Sequence, residues 1–225
     1  EVSVVAKNSA AGAATSSQIG RQAIEHLQAT NLGDLMQLLP GATMQSPDLT
    51  VASTLQIRTA SNAGMDKNNS FGASIIVDGV PVSNNANIDS KLDGNNNTAG
   101  RGVDLRQISA DNIESVEVIR GIPSAEYGDL TSGAVIVKSK SGKTPYEVRT
   151  KVNPTTLNTS LGKGFALGKK GGFLNTNFDY VQAWGDPRKK TESFDRYSLS
   201  LNYSNTFFKK WRTNTKFNYS GLVDW

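Results

Sequence analysis

The last 86 residues of the chain alternate between apolar and polar side chains with a period of two. Odd positions from 197 to 203 are apolar and even positions from 198 to 204 are small and polar, namely Tyr197, Leu199, Leu201 and Tyr203 against Ser198, Ser200, Asn202 and Ser204. Segments 173–184 and 211–220 repeat the pattern, and 146–152 and 157–167 show it more weakly. Because consecutive side chains of a β-strand point to opposite faces, this region predicts about five strands with one apolar and one polar face.

Linker lengths and aromatic positions separate two folds that such strands can form. A soluble sandwich buries its apolar face, whereas an outer-membrane barrel turns that face to lipid and alternates short with long connections. The connections here are tight at 168–172, long at 185–195 and tight at 205–210. Aromatic residues also stand near the predicted strand ends, as the girdle of a barrel requires, namely Trp184, Tyr197, Phe207, Phe208 and Trp211. The pattern favours a barrel wall and leaves the soluble sandwich as the alternative.

Chain length limits how much of a barrel these strands can form. About five strands are fewer than the roughly eight of the smallest common barrels, and an open lipid-facing sheet leaves edge N–H and C=O groups without partners. The chain is therefore expected to be a piece of a larger barrel. It has no apolar run of the roughly 18 residues that would predict a membrane helix. Its first residues carry no secretory signal, which predicts a mature or cut N-terminus.

Residue composition excludes several kinds of catalytic and metal site. The chain has no cysteine and a single histidine, His26, which removes disulfides, thiolate nucleophiles and His-rich metal sites. No acid/base pair or activated nucleophile stands out, so we predict no enzyme activity, no cofactor and no metal ligand. The basic clusters 188–190 and 209–212 lack a basic helix and an aromatic stacking platform, and nucleic acid is therefore not an expected partner.

Charge changes sign along the chain. Residues 1–139 hold 9 Lys and Arg against 14 Asp and Glu, whereas residues 140–225 hold 15 against 6. The net charge is thus −5 before and +9 after the place where the alternating pattern begins. We predict a boundary between 139 and 145, with a small mixed α/β unit of about 130 residues before it.

Helix and strand signals share this N-terminal unit. Asn31 is a predicted N-cap, and Asp34 suits the first turn of the helix that follows it. Asp78 and Gly79 predict a hairpin turn within 73–83. The remaining predicted elements are a short helix or strand–helix junction at 17–27, strands at 54–58, 114–120 and 133–138, and a short helix near 104–113.

Three segments stand outside these elements. The stretches 59–72 and 84–102 are rich in Asn, Asp and Gly, and the second is long enough to be either functional or disordered. A calcium site in 84–104 has no Asp-x-Asp-x-Asp-Gly loop to support it. The N-terminal residues 1–6 form strands readily but have no partner sequence nearby, which taken alone describes a frayed terminal strand.

Four motifs carry a resemblance to a known family. They read EVSVVA at 1–6, LGDLMQLLPG at 32–41, IIVDGVPV at 75–82 and DNIESVEVIRGIPSAEYGDLTSGAVIVKSK at 111–140. Together they resemble the plug domain of TonB-dependent outer-membrane transporters, followed by the first strands of their barrel of about 22 strands. The part from 112 to 138 is the most specific, because it follows the family order of Ile-Glu, Val-x-Arg-Gly, a Pro-Ser turn, Tyr-Gly and a closing strand.

The resemblance implies an order of domains. Residues 1–7 would be the TonB box and N-terminal extension, and 8–139 an α+β plug domain with a small mixed sheet and short helices. Residues 140–225 would be the first strands, about five, of an antiparallel transmembrane β-barrel, incomplete in this chain. The plug would fill the lumen of that barrel.

The resemblance also assigns roles to particular residues. The TonB box, which pairs with TonB by adding a strand, would comprise Glu1, Val2, Ser3, Val4, Val5 and Ala6. Polar plug loops would face outward beneath the substrate and present Ser61, Asn62, Asn68, Asn69, Asn84, Asn85, Asn95, Asn96 and Arg101. Glu117 and Arg120 align with plug residues that form ion pairs with the barrel wall.

The implied function is nutrient uptake. Such a receptor binds a scarce nutrient at its extracellular face and imports it to the periplasm with energy that TonB transmits together with ExbB and ExbD. The implied location is the outer membrane of a Gram-negative bacterium, and the style of the motifs is similar to that of Bacteroidetes. The resemblance leaves the substrate open among siderophore, cobalamin, glycan and peptide.

Outer-membrane lipid is an expected partner, and a surface lipoprotein is a further candidate. The sequence departs from the starch-utilisation, SusC-like subgroup, which has an Asp-Ala-Ser/Ala turn in place of residues 120–123. Two other functions stay open at this point. The chain could belong to a plugged barrel that binds partners or assembles a complex without transport, or to a soluble β-rich binding module that needs no detergent.

Overall fold

The computed structural model describes residues 5–8, 15–38, 73–82, 103–120, 133–168, 171–186, 188–189, 193–207 and 211–224. These residues form two compact units. The first holds the described residues up to Arg106 together with Ile113–Ser139, and the second holds Gln107–Asn112 and the described residues from Lys140 onward. None of the described helices has the length and apolar character that crossing a membrane requires.

The first unit is a mixed sheet with two short helices. Its strands, in the order in which they lie side by side, are β1-β2-β5-β6-β3-β4. Every neighbouring pair is antiparallel except β3 and β6, which are parallel. The bounds are β1 Val5–Asn8, β2 Thr15–Gly20, α1 Arg21–Leu27, α2 Leu32–Met36, β3 Ala73–Val77, β4 Val80–Pro81, β5 Ile113–Arg120 and β6 Gly133–Ser139. The predicted α+β class is confirmed.

Alternate residues of three central strands form the core of this unit. Ile19 of β2 lies opposite Val116 of β5, which in turn lies opposite Val137 of β6. All three side chains are buried, as are Val118 and its partner Val135. The helices add a second buried set, namely Ala23, Ile24, Leu32, Leu35 and Met36. Of the two helices, α1 contacts β2 and β5 of this sheet.

Residues 17–27 form a strand–helix junction, one of the two structures that the sequence left open. Strand β2 ends at Gly20 and α1 begins at Arg21 without a side-chain cap. The guanidinium Nη1 of Arg21 donates to the carbonyl oxygen of Ile113 over 2.8 Å, which fixes the start of the helix to β5. The second predicted helix is also present. Its N-cap Asn31 accepts from the Asp34 N–H while the Asp34 carboxylate accepts from the Asn31 N–H, so the pair forms a capping box.

The hairpin turn lies where the sequence predicted it. Asp78 and Gly79 both have positive φ angles, 55° and 88°, and join β3 to β4. The two Asp78 carboxylate oxygens accept from Ser139, one from its N–H over 2.8 Å and the other from its hydroxyl over 2.6 Å. One side chain therefore shapes the turn and holds the end of β6.

The short helix predicted near 104–113 is present only in interrupted form and as the 3₁₀ type. Two single 3₁₀ turns, Leu105–Gln107 and Ala110–Asn112, occupy this stretch. The Asp104 carboxylate accepts from the Arg106 N–H, and the Ser109 hydroxyl oxygen accepts from the Asp111 N–H. Such local bonds from side chains to the backbone compete with α-helical ones. The strand predicted at 54–58 lies outside the described residues.

The second unit contains a five-stranded antiparallel meander. Its order β7-β8-β9-β10-β11 follows the chain, so the described residues of 140–225 form five strands. The bounds are β7 Glu147–Asn153, β8 Thr156–Ala166, β9 Phe173–Trp184, β10 Ser193–Phe207 and β11 Trp211–Asp224. Gly164 of β8 leaves room for the segment before β7, since a Cβ atom there would overlap the Gly142 carbonyl oxygen and the Thr144 amide.

The capping box generates a test of local stability. Replacing Asn31 with Ala should cost about 1 kcal/mol, because an orphan N–H at the start of α2 loses its acceptor. Amide hydrogen exchange of residues 32–36 should then quicken roughly fivefold, as that energy implies. Gln37→Ala at the other end of the helix serves as the matched control. Unchanged exchange in Asn31→Ala, or an equal change in both variants, would contradict the role of the cap.

Candidate functional site

The second unit has its polar face buried and its apolar face exposed. Buried polar residues project from one side of β8, β9 and β10, namely Asn158, Ser160, Asn175, Asn177, Asp179, Arg196, Ser198 and Asn202. Exposed apolar residues project from the other side, namely Val148, Val152, Leu161, Phe165, Phe178, Tyr197, Leu199, Phe217 and Tyr219. A soluble sandwich has the opposite arrangement. This one is typical of a barrel wall with lipid on its outer side.

A buried ion pair lies on the polar face. The Arg196 guanidinium Nη2 donates to Asp179 Oδ1 over 2.5 Å, and Asn158 Nδ2 donates to Asp179 Oδ2 over 2.7 Å. All three residues have 0 % of their surface exposed. Asp179 lies directly opposite Ser160 on β8 and Ser198 on β10, so both of its partners are diagonal neighbours on adjoining strands. The carboxylate thus links three strands from their polar side.

The same face becomes apolar toward one end of the sheet. Val181 and Ala183 continue the side of Asp179 along β9, and they pack with Phe194 and Leu222 into a buried cluster. The sequence pattern did not predict this cluster. Arg196 was also missed, although its even number places it with Ser198 on the polar side. The alternation of even and odd positions along β10 was the sequence signal that could have placed Arg196 on the polar face.

Aromatic residues near the strand ends have partners of their own. The Trp184 indole N–H donates to the carbonyl oxygen of Pro154 over 3.2 Å. The Lys163 ammonium lies 3.3 Å from the ring centre of Tyr146 and 4.8 Å from that of Phe165, in cation–π geometry. These contacts suit the ends of strands that leave a membrane, where a side chain needs both an apolar body and a polar tip. Phe208, another predicted girdle residue, lies outside the described residues.

The long connection between β9 and β10 contains a fixed charge pair. Arg188 donates from Nε and from its backbone N–H to the same oxygen of the Asp186 carboxylate, each over 3.0 Å. The hydrogen bonds from the guanidinium and then from the N–H lower the pKa of Asp186. The Asp186 carboxylate therefore stays charged to a lower pH than a free aspartate does, and the pair closes a turn at the end of β9.

The predicted TonB box is described only in part. Residues 1–4 lie outside the described residues, whereas Val5 and Ala6 belong to β1 and pair with Gln18 and Ser17 of β2. The expectation that this strand lacks a local partner is therefore wrong for Val5 and Ala6. Their partner was overlooked because β2 begins with small polar residues and has no apolar alternation. In the described sheet β1 is one of the two edge strands, and β4 is the other.

The structure describes only some of the other predicted site residues. All nine predicted substrate-facing residues lie in 59–72 or 83–102, outside the described residues. Glu117 lies within β5, opposite Gln18 and Ile136. Arg120 ends the same strand, and its Nη2 donates to the Ser17 hydroxyl oxygen over 2.8 Å. Their predicted pairing with a barrel wall stays a prediction. No group of His, Cys, Asp and Glu suited to a metal occurs in the described part of the chain.

Comparison with known proteins decides the family. Residues 7–135 match the family model described as "TonB-dependent Receptor Plug Domain". The chain belongs to this family. Among curated proteins, this plug-bearing chain is 27 % identical over 201 residues to transferrin-binding protein A of Haemophilus influenzae and 27 % identical over 187 residues to that of Neisseria meningitidis serogroup B. The alignments cover 83 % and 76 % of this chain but only 21 % and 20 % of those relatives, so the chain spans about a fifth of their length.

Solved structures of uptake receptors for ferric ligands share the fold at low identity. The ferric enterobactin receptor of Pseudomonas aeruginosa matches with a TM-score of 0.63 and 16 % identity, over 91 % of this chain and 32 % of that one. The ferric yersiniabactin uptake receptor of Yersinia pestis matches with a TM-score of 0.63 and 14 % identity, over 92 % and 31 %. These likenesses extend past the plug, and they confirm the predicted combination of a plug sheet with barrel strands.

The buried ion pair gives a test of the polar face. Replacing Asp179 with Ala should destabilise the receptor by about 3–5 kcal/mol, because the Arg196 cation is then buried without its carboxylate. The double variant Asp179→Leu with Arg196→Met removes both charges, and it should lose much less stability than Asp179→Ala. Thermal unfolding of the full-length receptor in detergent measures the stability of both variants. The interpretation fails if the single variant is no less stable than the double one.

Proposed function

We propose that the chain is the plug and first wall strands of a receptor that imports a scarce nutrient across the outer membrane of a Gram-negative bacterium. Energy for import comes from TonB. The observation that carries the proposal is one continuous chain with a plug-family sequence at 7–135, followed by strands whose apolar face is exposed and whose polar face is buried. A soluble binding module is disfavoured, because it would expose that apolar face to water.

The edge position of β1 supports a role for the N-terminus in coupling. An edge strand presents a row of N–H and C=O groups to which an extended peptide can add. In the described sheet β1 has β2 on one side only. TonB therefore adds as a further strand along β1 and residues 1–4, or replaces β2 as the partner of Val5 and Ala6. Substrate binding at the outer face makes this segment accessible, and a pull through it remodels the plug.

Iron carriers are the substrate class that we place first. Two relatives are named for binding transferrin, and several similar structures are titled as ferric enterobactin or pyoverdine receptors. The Asn-rich stretches 59–72 and 84–102 supply amide donors and acceptors that suit the polar groups of such ligands. Competition between ferric siderophores and iron-loaded transferrin for binding to the receptor distinguishes the two carriers.

The remaining partners follow from the same proposal. ExbB and ExbD energise TonB, outer-membrane lipid covers the exposed face of β7–β11, and a surface lipoprotein is a further candidate. The relatives described above come from Haemophilus and Neisseria. An origin in Bacteroidetes therefore stays a prediction from the style of the motifs alone.

Deletion of the N-terminal segment tests the coupling role. Removing Glu1–Ala6 should abolish energy-dependent uptake and leave substrate binding to whole cells unchanged, because the outer face is untouched. The matched control deletes residues 10–12, which shortens the chain, leaves three residues to connect Asn8 with its partner Thr15 and keeps the segment. Accumulation of labelled substrate in cells measures uptake. Retained uptake in the first deletion would show that TonB grips the receptor elsewhere.

Arg120 provides a separate test of plug seating. If Arg120 pairs with the wall as predicted, Arg120→Ala should admit large antibiotics that the outer membrane normally excludes. Ser17→Ala is the control, because it removes the hydrogen bond that Arg120 makes inside the sheet and keeps the cation. Minimum inhibitory concentrations of vancomycin report the leak. Equal leakage in both variants would assign the effect to the sheet contact and reject the wall contact.

A further inference from the structure

Residues Gln107–Asn112 lie within the plug-family region of the sequence but belong to the second compact unit of the structure. The chain enters this segment from Arg106 and leaves it at Ile113, both of which belong to the first unit. Six residues in the middle of the plug sequence are thus held by the same unit as β7–β11. The contacts that hold them centre on one carboxylate.

Asp111 makes these contacts. The Lys151 ammonium of β7 lies 3.2 Å from each oxygen of the Asp111 carboxylate. The Arg149 guanidinium Nη1 lies 3.6 Å from Oδ1 of the same group. The Asp111 side chain is only 3 % exposed, whereas both cations are partly open to solvent. A carboxylate with so little access to water depends on its two cations for compensation.

The ion pairs continue along β7. Arg149 Nη2 lies 3.3 Å from Glu147 Oε2, and the Lys140 ammonium lies 2.6 Å from that oxygen. Residues 147, 149 and 151 lie on one face of the strand, because every second side chain of a β-strand points to the same face. Acidic and basic groups therefore alternate across this face, and Asp111 occupies the place between the two basic residues of β7.

Two backbone contacts add to the attachment. The Lys140 N–H donates to the Asn112 carbonyl oxygen over 2.9 Å, and Asn202 of β10 donates to the Lys140 carbonyl oxygen over 3.1 Å. The segment is thus tied to β7 through side chains and to β10 through Lys140. The ladders of the meander spread any load on β7 over the neighbouring strands.

A pull on the N-terminus reaches this attachment late. If the chain is drawn out in sequence order from residues 1–6, β1, β2, α1, α2, β3 and β4 all precede Asp111. We propose that Asp111 is a positioning residue that fixes 107–112 to β7 and so limits the length of chain that can be drawn out during transport. The proposal rests on the proposed function, since it concerns the reach of the TonB pull.

Cysteine labelling measures that reach in energised cells carrying the full-length receptor. The 225 residues contain no cysteine, so one reporter can be placed within them at a time. Ala23 in α1 and Ala110 beside Asp111 are both buried and both small, which makes them a matched pair. With substrate and a proton-motive force, Ala23→Cys should react with a biotin maleimide and Ala110→Cys should stay protected.

Neutralising the carboxylate should remove this protection. In Asp111→Asn, labelling of the cysteine at position 110 should rise by about tenfold or more, since a hydrogen bond between charged groups is weakened. Asp111→Glu keeps the charge and should restore protection, which a role in packing alone would not predict. Asp104→Asn is the matched control, because Asp104 is equally buried and pairs with Arg106 inside the first unit.

Lys151→Gln breaks the same ion pair by changing its partner on β7. It provides the same test if the Asp111→Asn receptor does not reach the outer membrane. Protection of position 110 in every variant that still binds substrate would overturn the proposal. So would equal labelling of positions 23 and 110 in the otherwise unchanged receptor, and the uptake function would survive that result. Labelling of position 23 that does not depend on TonB, together with TonB-independent uptake, would reject the proposed function itself.

Discussion

Pairing of backbone N–H and C=O groups is the constraint on which the second unit depends. Each unpaired group costs several kcal/mol in hydrocarbon, so a lipid-facing strand needs neighbours along its whole length. The meander supplies neighbours on both sides for β8, β9 and β10, through antiparallel ladders, whereas β7 and β11 are the edge strands of the described sheet. These ladders also set Ser160, Asp179 and Ser198 side by side. A slip of one residue would turn the carboxylate toward lipid, so the buried charge and the register depend on each other.

The features that the sequence predicted are those that depend on local geometry. Period-two alternation follows from strand geometry alone, and it was enough to predict five strands and the side on which Tyr197 and Ser198 lie. The Asp78-Gly79 turn and the Asn31 cap are equally local, because each uses the conformational preference of one or two residues. Fold similarity at 16 % identity fits this reasoning. A barrel wall needs the alternation and tolerates many different residues that provide it.

The features that the sequence did not predict depend on register or on competition. Parity puts Arg196 on the polar face, but its partner Asp179 follows only from the offset between β9 and β10. The short helix predicted at 104–113 is divided into two 3₁₀ turns, because Asp104 and Ser109 accept from nearby N–H groups and helix propensity does not include that competition. The attachment of Asp111 to Lys151 spans 40 residues of sequence and joins two segments with no shared pattern.

The position of β1 has a consequence for the energy needed to change the first sheet. Detaching an interior strand breaks two ladders, whereas detaching β1 breaks one ladder of four residue pairs. The apolar pairs formed by Ile19, Val116 and Val137 lie one strand further in. The terminal strand can therefore exchange partners while the core beneath it stays dry and folded. Exchange of partners at β1 therefore leaves the interior of the sheet folded, and only a pull that follows it has to disturb residues such as Ala23.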